Sequence, residues 1–217
     1  MLRGVLFDMD GVLVDTEPEY MKLELMMCEE IGITLSEKQK KIYVGSGPVA
    51  MWTDLKKRYG FSQDPHVLAQ TEIQLMDEYY RSGALIPIKP TLELLKSCVK
   101  SGLKAAVATS SKKENAENVI RRLGLGGYVS AISAGDMVKA AKPSPDIFLL
   151  AAKLLGVAAD ECIVVEDAKH GITAAKKAGM KAIALKSPAS AQDLTAADIV
   201  TCSLGKICIN TLHALFV

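Results

Sequence analysis

The strongest constraint on the fold is a series of short apolar runs that alternate with segments of helical periodicity. The runs are rich in Val, Ile, Leu and Ala, and they lack the polar alternation of a half-exposed strand. Strands joined through helical crossovers form parallel sheets with both faces covered, so the pattern predicts an α/β fold. The predicted strands are residues 4–8, 103–109, 128–133, 162–166, 181–185 and 197–201.

A helical segment interrupts this alternation after the first strand. The stretch "EPEYMKLELMMCEEIG" places Tyr20, Leu23, Met27 and Ile31 at helical spacing, and further helical patterns cover about 48–59 and 65–81. The "SEKQ" at 36–39 has the form of a capping box. We therefore expect an all-α domain over residues 17–82, inserted into an α/β core made of residues 1–16 and 83–217.

Composition excludes several classes of function. The 217 residues include 26 Lys and Arg and 25 Asp and Glu, so the formal net charge is only +1 and gives no global attraction to nucleic acid or an anionic membrane. No apolar stretch reaches the ~18 residues needed to span a bilayer. The five cysteines form no CxxC pair, which is typical of free thiols in a reducing compartment. We expect a cytoplasmic monomer that binds a small molecule and has no nucleic-acid or membrane partner.

Polar side chains follow three of the predicted strands at the point where each strand ends. In open parallel sheets, ligands bind beyond the carboxyl ends of the strands, so these residues are candidates for one site. Lys142, on the loop before a predicted helix, is placed to reach the same edge. The strand-end residues are Asp8 and Asp10, Thr109 and Ser110, and Glu166 and Asp167.

These residue types suit phosphoryl transfer. Clustered carboxylates form the hard, oxygen-rich environment that Mg²⁺ prefers. A carboxylate can also attack phosphorus to give an aspartyl phosphate, and a second one can protonate the leaving oxygen. Gly11 allows a sharp turn after the second aspartate. A hydroxyl and a lysine ammonium would hold the phosphoryl oxygens.

Four motifs together resemble a known family. In order along the chain, "DMDGV", "ATSS", "AKPSPDIF" and "VVEDAKHGITAAKKAG" are similar to the four motifs of haloacid-dehalogenase-like phosphotransferases. The resemblance covers residues 1–16 and about 88–190. It is strongest for the β-phosphoglucomutase-like, CbbY-like branch, which has a helical cap after the first strand and a "DTEP" type of exit from it.

The resemblance implies a Rossmann-like core sheet with strand order 3-2-1-4-5 and an inserted helical cap. It implies that Asp8 is the nucleophile and Asp10 the general acid and base. Thr109, or Ser110 beside it, would bind phosphate together with Lys142.

The resemblance also implies a Mg²⁺ site. Its ligands would be Asp8, the main-chain carbonyl of Asp10, and Asp167, with Glu166 in or next to the coordination shell. The order of the strands would place the Asp8 strand between the Thr109 and Glu166 strands, in agreement with the strand-end pattern.

Two enzymatic reactions remain open at this point. A phosphatase lets water attack the aspartyl phosphate, whereas a sugar-phosphate mutase returns the phosphoryl group to a sugar. The mutases that this chain resembles carry a histidine and a cap arginine where Tyr20 and Pro48 stand here. We therefore favour hydrolysis of a small phosphorylated metabolite, such as a sugar phosphate. A non-catalytic binding module on this fold is a third hypothesis, although the chain keeps Asp8, Asp10 and Asp167.

The predicted cap offers five candidates for contact with the substrate, because a cap can close over the sheet and select the leaving group. For two of these features, a purely structural role is an alternative to contact with a ligand. Trp52 also fits the core of the helical domain, and "GSGPVA" is interpreted as the entrance of a helix rather than a dinucleotide-binding loop. The five candidates are Tyr20, Gly45, Ser46, Gly47 and Trp52.

The strand-end residues have structural alternatives as well. Asp8 and Asp10 could be turn formers, and Glu166 and Asp167 could cap a helix N-terminus. Ser111 and Glu114 match a capping box that would open the next helix, which leaves Ser110 for a ligand.

Overall fold

The structure is a computed structural model that describes residues 1–36, 39, 42–43, 47–187 and 192–216. The chain divides into two compact units. Met1–Asp15, Ile86–Pro188 and Gln192–Val217 form a sheet unit, and Thr16–Leu85 make up nearly all of a helical unit.

The helices of the described residues are α1 (Glu17–Glu30), α2 (Pro48–Tyr59), α3 (Pro65–Ser82), α4 (Lys89–Lys100), α5 (Lys113–Arg122), α6 (Asp146–Leu155), α7 (Lys169–Lys177) and α8 (Ile209–Ala214). The strands are β1 (Gly4–Phe7), β2 (Lys104–Thr109), β3 (Ala131–Ala134), β4 (Cys162–Glu166), β5 (Lys181–Leu185) and β6 (Ile199–Thr201).

The sheet is parallel throughout, with strand order β3-β2-β1-β4-β5-β6. This confirms the α/β fold and the expected order 3-2-1-4-5, to which β6 adds a sixth strand. Central strands β1 and β4 are buried along their whole length, because helices cover both faces of the sheet. Their continuous apolar sequences follow from that environment.

Strand β3 begins three residues later than the sequence predicts. The expected strand at 128–133 is observed as Ala131–Ala134. Tyr128 and Val129 instead donate their backbone N–H groups to the carbonyl of Leu125, at 2.9 and 3.1 Å. The turn after α5 thus uses the hydrogen bonds that would have started the strand.

The helical unit has a core of its own around Trp52. The Trp52 side chain is fully buried and stacks edge-on against Phe61, with 6.5 Å between ring centroids. Met51 and Leu55 on the same helix pack with Leu68 on α3. Helix α3 starts at a cap in which the Asp64 carboxylate accepts the N–H of His66 at 2.7 Å, as expected for an N-cap aspartate.

Among the residues that the structure describes, no helix combines the length and apolar character needed to cross a membrane.

Candidate active site

The carboxyl ends of three adjacent strands bring the predicted site residues to one edge of the sheet. Phe7, the last residue of β1, pairs with Val107 of β2 on one side and with Val165 of β4 on the other. Asp8 continues from β1 and donates its backbone N–H to the Val165 carbonyl at 2.9 Å. Thr109 ends β2 and Glu166 ends β4, so both flank Asp8.

Lys142 links the carboxyl ends of β1 and β4. Its Nζ lies 2.8 Å from Asp8 Oδ1 and 2.8 Å from Glu166 Oε1, and it also donates to the Ala108 carbonyl at 3.3 Å. All three side chains are nearly excluded from solvent. Removing one partner from such a buried ion network leaves an uncompensated charge, so the three groups hold one another in place.

Burial and charge shift the ionisation of these groups. Burial, reinforced by Glu166 and Asp10 and opposed by Lys142, raises the pKa of Asp8 to about 7. Burial alone would lower the pKa of Lys142, but Asp8 and Glu166 outweigh it and raise that pKa above its usual value. Burial together with the nearby carboxylates also raises the pKa of Asp167.

Glu166 is fixed at both of its carboxylate oxygens. Oε1 accepts from Lys142, and Oε2 accepts the backbone N–H of Ala168 at 2.6 Å. Gly171, on the first turn of α7, leaves the space that the Glu166 carboxylate occupies, because a Cβ at that position would overlap it. Glu166 therefore acts here as a rigid support for Lys142.

A tight turn after β1 brings Asp10 and Gly11 next to the β4 end. Gly11 has φ +71°, a left-handed conformation that favours glycine. A Cβ on Gly11 would also overlap the carboxylate of Asp167. The glycine of "DMDG" is thus required twice, once by its backbone and once by the close approach of an acidic side chain.

Ser111 has a different role from the one expected. Its hydroxyl donates to Asp10 Oδ2 at 3.0 Å, and its backbone N–H donates to Thr109 Oγ1 at 3.1 Å. The capping box predicted for Ser111 and Glu114 is wrong, since α5 begins at Lys113 with Lys112 as its N-cap.

The expected phosphate-binding residues differ in their surroundings. Thr109 is fully buried, and its hydroxyl accepts from Ser111, which leaves the hydroxyl proton for another acceptor. Ser110 is exposed. Lys142 is held between Asp8 and Glu166 as described above.

Three carboxylates at this edge fit a hard divalent cation. One oxygen each from Asp8, Glu166 and Asp167 can be chosen so that all three lie within 4.8 Å of one another. The donors are all oxygens, which is the ligand type that Mg²⁺ prefers over the sulfur and nitrogen donors of zinc sites. With Asp10 nearby, negative groups outnumber the Lys142 ammonium, and a bound cation would offset that excess. The Ser111 hydroxyl contacts the Asp10 side chain, and metal binding by the Asp10 main-chain carbonyl stays a prediction.

The candidates in the helical unit occupy different environments. Tyr20 is half-buried on α1, and Gly47 is exposed, with φ +75°, directly before α2. That helix begins at Pro48 with Gly47 as its N-cap, so the described part of "GSGPVA", residues 47–50, is a helix entrance as predicted. Trp52 is fully buried in the core of the helical unit, which fits its structural alternative rather than a contact with the substrate. Gly45 and Ser46 lie outside the described residues.

A parallel sheet with a cluster of carboxylates and a buried lysine at its carboxyl edge is the arrangement of a class of α/β phosphotransfer enzymes. Residues 5–185 match the family model described as haloacid dehalogenase-like hydrolase. The chain belongs to this family, as its four motifs indicated.

Named relatives place the chain among phosphatases and mutases of this family. It is 36% identical over 185 residues to fructose-1-phosphate phosphatase YqaB of Escherichia coli, covering 83% of this chain and 94% of that protein. It is 35% identical over 217 residues to protein SUPPRESSOR OF QUENCHING 1, chloroplastic, of Arabidopsis thaliana, covering 97% of this chain but only 20% of that protein. The crystal structure of β-phosphoglucomutase from Clostridium difficile is 26% identical, with a TM-score of 0.77 over 99% of this chain and 96% of that one.

Proposed function

We propose that the protein is a Mg²⁺-dependent phosphatase that hydrolyses a sugar phosphate through an aspartyl phosphate on Asp8. The observation that carries the proposal is the ion network in which Lys142 bridges Asp8 and Glu166 beside Asp167. It presents a buried, oriented carboxylate next to a cation-binding cluster. The phosphatase relatives support the substrate class.

In the first half of the reaction, a carboxylate oxygen of Asp8 attacks phosphorus as the bond to the leaving oxygen breaks. Asp10 gives its proton to that oxygen, and the sugar leaves as a neutral alcohol. Thr109 and Lys142 hold the phosphoryl oxygens, and Ser110 borders the same edge. The bond from Lys142 Nζ to the Ala108 carbonyl is the longest of its three at 3.3 Å, so a phosphoryl oxygen can replace it at least cost.

In the second half, Asp10 takes a proton from a water molecule, and the resulting hydroxide attacks phosphorus. The bond between phosphorus and Asp8 breaks, which releases inorganic phosphate and restores the Asp8 carboxylate. When bound by Asp8, Asp167 and the Asp10 carbonyl, Mg²⁺ would neutralise charge on the phosphoryl group and favour the ionised form of Asp8. Glu166 keeps Lys142 in place throughout.

Mutase activity is the alternative reaction, because β-phosphoglucomutase is among the similar structures. Both reactions share the aspartyl phosphate, and they differ in whether water or a sugar hydroxyl accepts the phosphoryl group. Tyr20 and Pro48 stand where the mutases that the sequence resembles carry a histidine and an arginine. A second phosphate group would lack that arginine, which favours transfer to water.

The test is a phosphate-release panel over sugar monophosphates, run with Mg²⁺ and with excess chelator. Hexose 1-phosphates are included with and without a bisphosphate activator. We expect phosphate release from sugar monophosphates that depends on Mg²⁺ and is abolished in Asp8→Asn. The matched control is Asp193→Asn, which removes an exposed carboxylate from the same unit and should keep full activity.

Each other outcome contradicts the proposal in a specific way. Isomerisation of a hexose phosphate without phosphate release would replace the phosphatase by a mutase. Activity that survives chelation would refute the Mg²⁺ requirement. Binding of sugar phosphates without turnover of any of them would indicate a non-catalytic binding module.

A further inference from the structure

Ser111 and Asp10 come from distant parts of the sequence and meet at the active-site edge. The Ser111 hydroxyl donates to Asp10 Oδ2 at 3.0 Å, across a separation of 101 residues. Asp10 lies on the turn after β1, whereas Ser111 follows β2. The contact therefore links the loops of two adjacent strands.

The backbone of Ser111 is anchored on both sides of this hydroxyl. Its N–H donates to Thr109 Oγ1 at 3.1 Å, and its carbonyl accepts the N–H of Gly135 at 2.9 Å. Gly135 has no room for a Cβ, which would overlap the Ser110 carbonyl. These contacts fix the backbone from which the Ser111 hydroxyl reaches Asp10.

Helix capping does not account for this hydroxyl. Helix α5 begins two residues later, and the N–H of its first residue, Lys113, is bonded by the Asp136 carboxylate at 3.0 Å. Asp136 thus satisfies a backbone donor at that helix end. The Ser111 side chain is directed to Asp10 instead.

We propose that Ser111 is a positioning residue for Asp10, and that its hydroxyl fixes the carboxylate orientation needed to protonate the leaving oxygen. The inference rests on the proposed function, because it assigns a support to the general acid of that reaction. Because Oδ2 accepts the Ser111 hydroxyl, the proton that Asp10 gives to the leaving group is carried on Oδ1, and the bond at Oδ2 fixes the direction of Oδ1. General acid catalysis depends on placing the acid within hydrogen-bond reach of the leaving oxygen.

Substrates with different leaving groups distinguish a role of Ser111 in general acid catalysis from a merely structural role. A sugar alkoxide is a poor leaving group and needs a proton as its bond to phosphorus breaks. The p-nitrophenolate anion is stable in water and leaves without a proton. A defect confined to the general acid therefore slows turnover of a sugar phosphate much more than turnover of p-nitrophenyl phosphate.

The experiment compares kcat/KM for the best sugar phosphate from the panel with kcat/KM for p-nitrophenyl phosphate. This parameter reports steps up to formation of the aspartyl phosphate, so slow hydrolysis of that intermediate does not mask the effect. The variants are Ser111→Ala, Ser111→Thr, which keeps a hydroxyl, and Asp10→Asn. Thr195→Ala is the matched control, because it removes an exposed hydroxyl that donates to Asp193 at 2.6 Å.

We expect Ser111→Ala to lose about tenfold or more on the sugar phosphate and much less on p-nitrophenyl phosphate, since full loss of a general acid costs about 10²–10⁴-fold. Ser111→Thr should recover most of the loss, Thr195→Ala should match the unmodified protein, and Asp10→Asn should show the same selective pattern more strongly.

Equal losses of Ser111→Ala on both substrates, or no loss on either, would overturn the inference. If Asp10→Asn still loses more activity on the sugar phosphate than on p-nitrophenyl phosphate, the proposed function stays intact. If Asp10→Asn is not selective either, the general acid role assigned to Asp10 fails, and the proposed function fails with it.

Discussion

Glu72 is a buried acid in the core of the helical unit, and its ionisation should make this unit less stable as the pH rises. Glu72 is 1% exposed, and its carboxylate accepts the indole N–H of Trp52 at 2.7 Å. Burial raises the pKa of Glu72 from the ordinary 4.5 to about 7, against a smaller lowering by the Trp52 bond. The folded unit therefore favours the protonated acid.

The sign and size of the effect follow from this pKa. The stability that the protonated acid contributes is fully present below pH 4.5 and is lost as the pH rises toward about 7, because the unfolded chain ionises first. A tenfold change in an ionisation constant is about 1.4 kcal/mol, so the loss across this window is ~3 kcal/mol as an upper value. Glu72→Gln keeps an acceptor for the Trp52 indole and cannot ionise.

The assay is urea unfolding followed by the fluorescence of Trp52, which is the only tryptophan of the sequence and lies beside Glu72. We expect the free energy of unfolding of Glu72→Gln, relative to the unmodified protein, to rise between pH 4.5 and 7 and then level off. A constant offset between the two proteins reflects the buried amide, whereas the change with pH reflects ionisation. Glu78→Gln, on the exposed side of the same helix, should show no such rise. A difference that stays flat across this pH range would refute the reasoning.

Two further substitutions test the packing of the sheet unit. Thr91→Val should raise the free energy of unfolding by ~1 kcal/mol, because the Thr91 hydroxyl is fully buried without a hydrogen-bond partner among the described residues. Denaturant unfolding measures this change. A loss of stability would show that the hydroxyl is bonded. Gly171→Ala should lower stability by ~1–3 kcal/mol and turnover by about 10²-fold, because the new methyl group displaces Glu166 and with it Lys142. Helix propensity alone predicts that Gly171→Ala raises stability, so thermal unfolding decides between the clash with Glu166 and the propensity effect. Gly126→Ala is the control, because a Cβ at that position meets no other atom.

Most of the sheet could be predicted because its central strands are buried on both faces. That environment produces continuous apolar runs, which are visible without any alignment. The carboxyl-end rule then places Asp8, Thr109 and Glu166 at one edge from the sequence alone. The start of β3 was missed because the turn at Tyr128 and Val129 depends on hydrogen bonds to Leu125, and residue types alone do not show those.

The contact between Ser111 and Asp10 could not be predicted because a local pattern competed with a distant partner. Ser111 and Glu114 have capping-box spacing, and nothing in the sequence shows that Asp136 occupies that helix end. The burial of Glu72, in contrast, could be predicted from the sequence. Glu72 is spaced four residues from both Leu68 and Met76, so a helix places it on the same apolar face, and all three are buried on α3.

The central claim is that Asp8 becomes phosphorylated during turnover, and acid quenching followed by mass spectrometry tests it most directly. The protein is mixed with its best sugar phosphate and Mg²⁺, quenched within one turnover and digested, and the peptide that contains Asp8 is examined. We predict that this peptide gains the mass of one phosphoryl group, that the gain maps to Asp8, and that it disappears in Asp8→Asn. Continued turnover with an unmodified Asp8 peptide at every quench time would contradict the account.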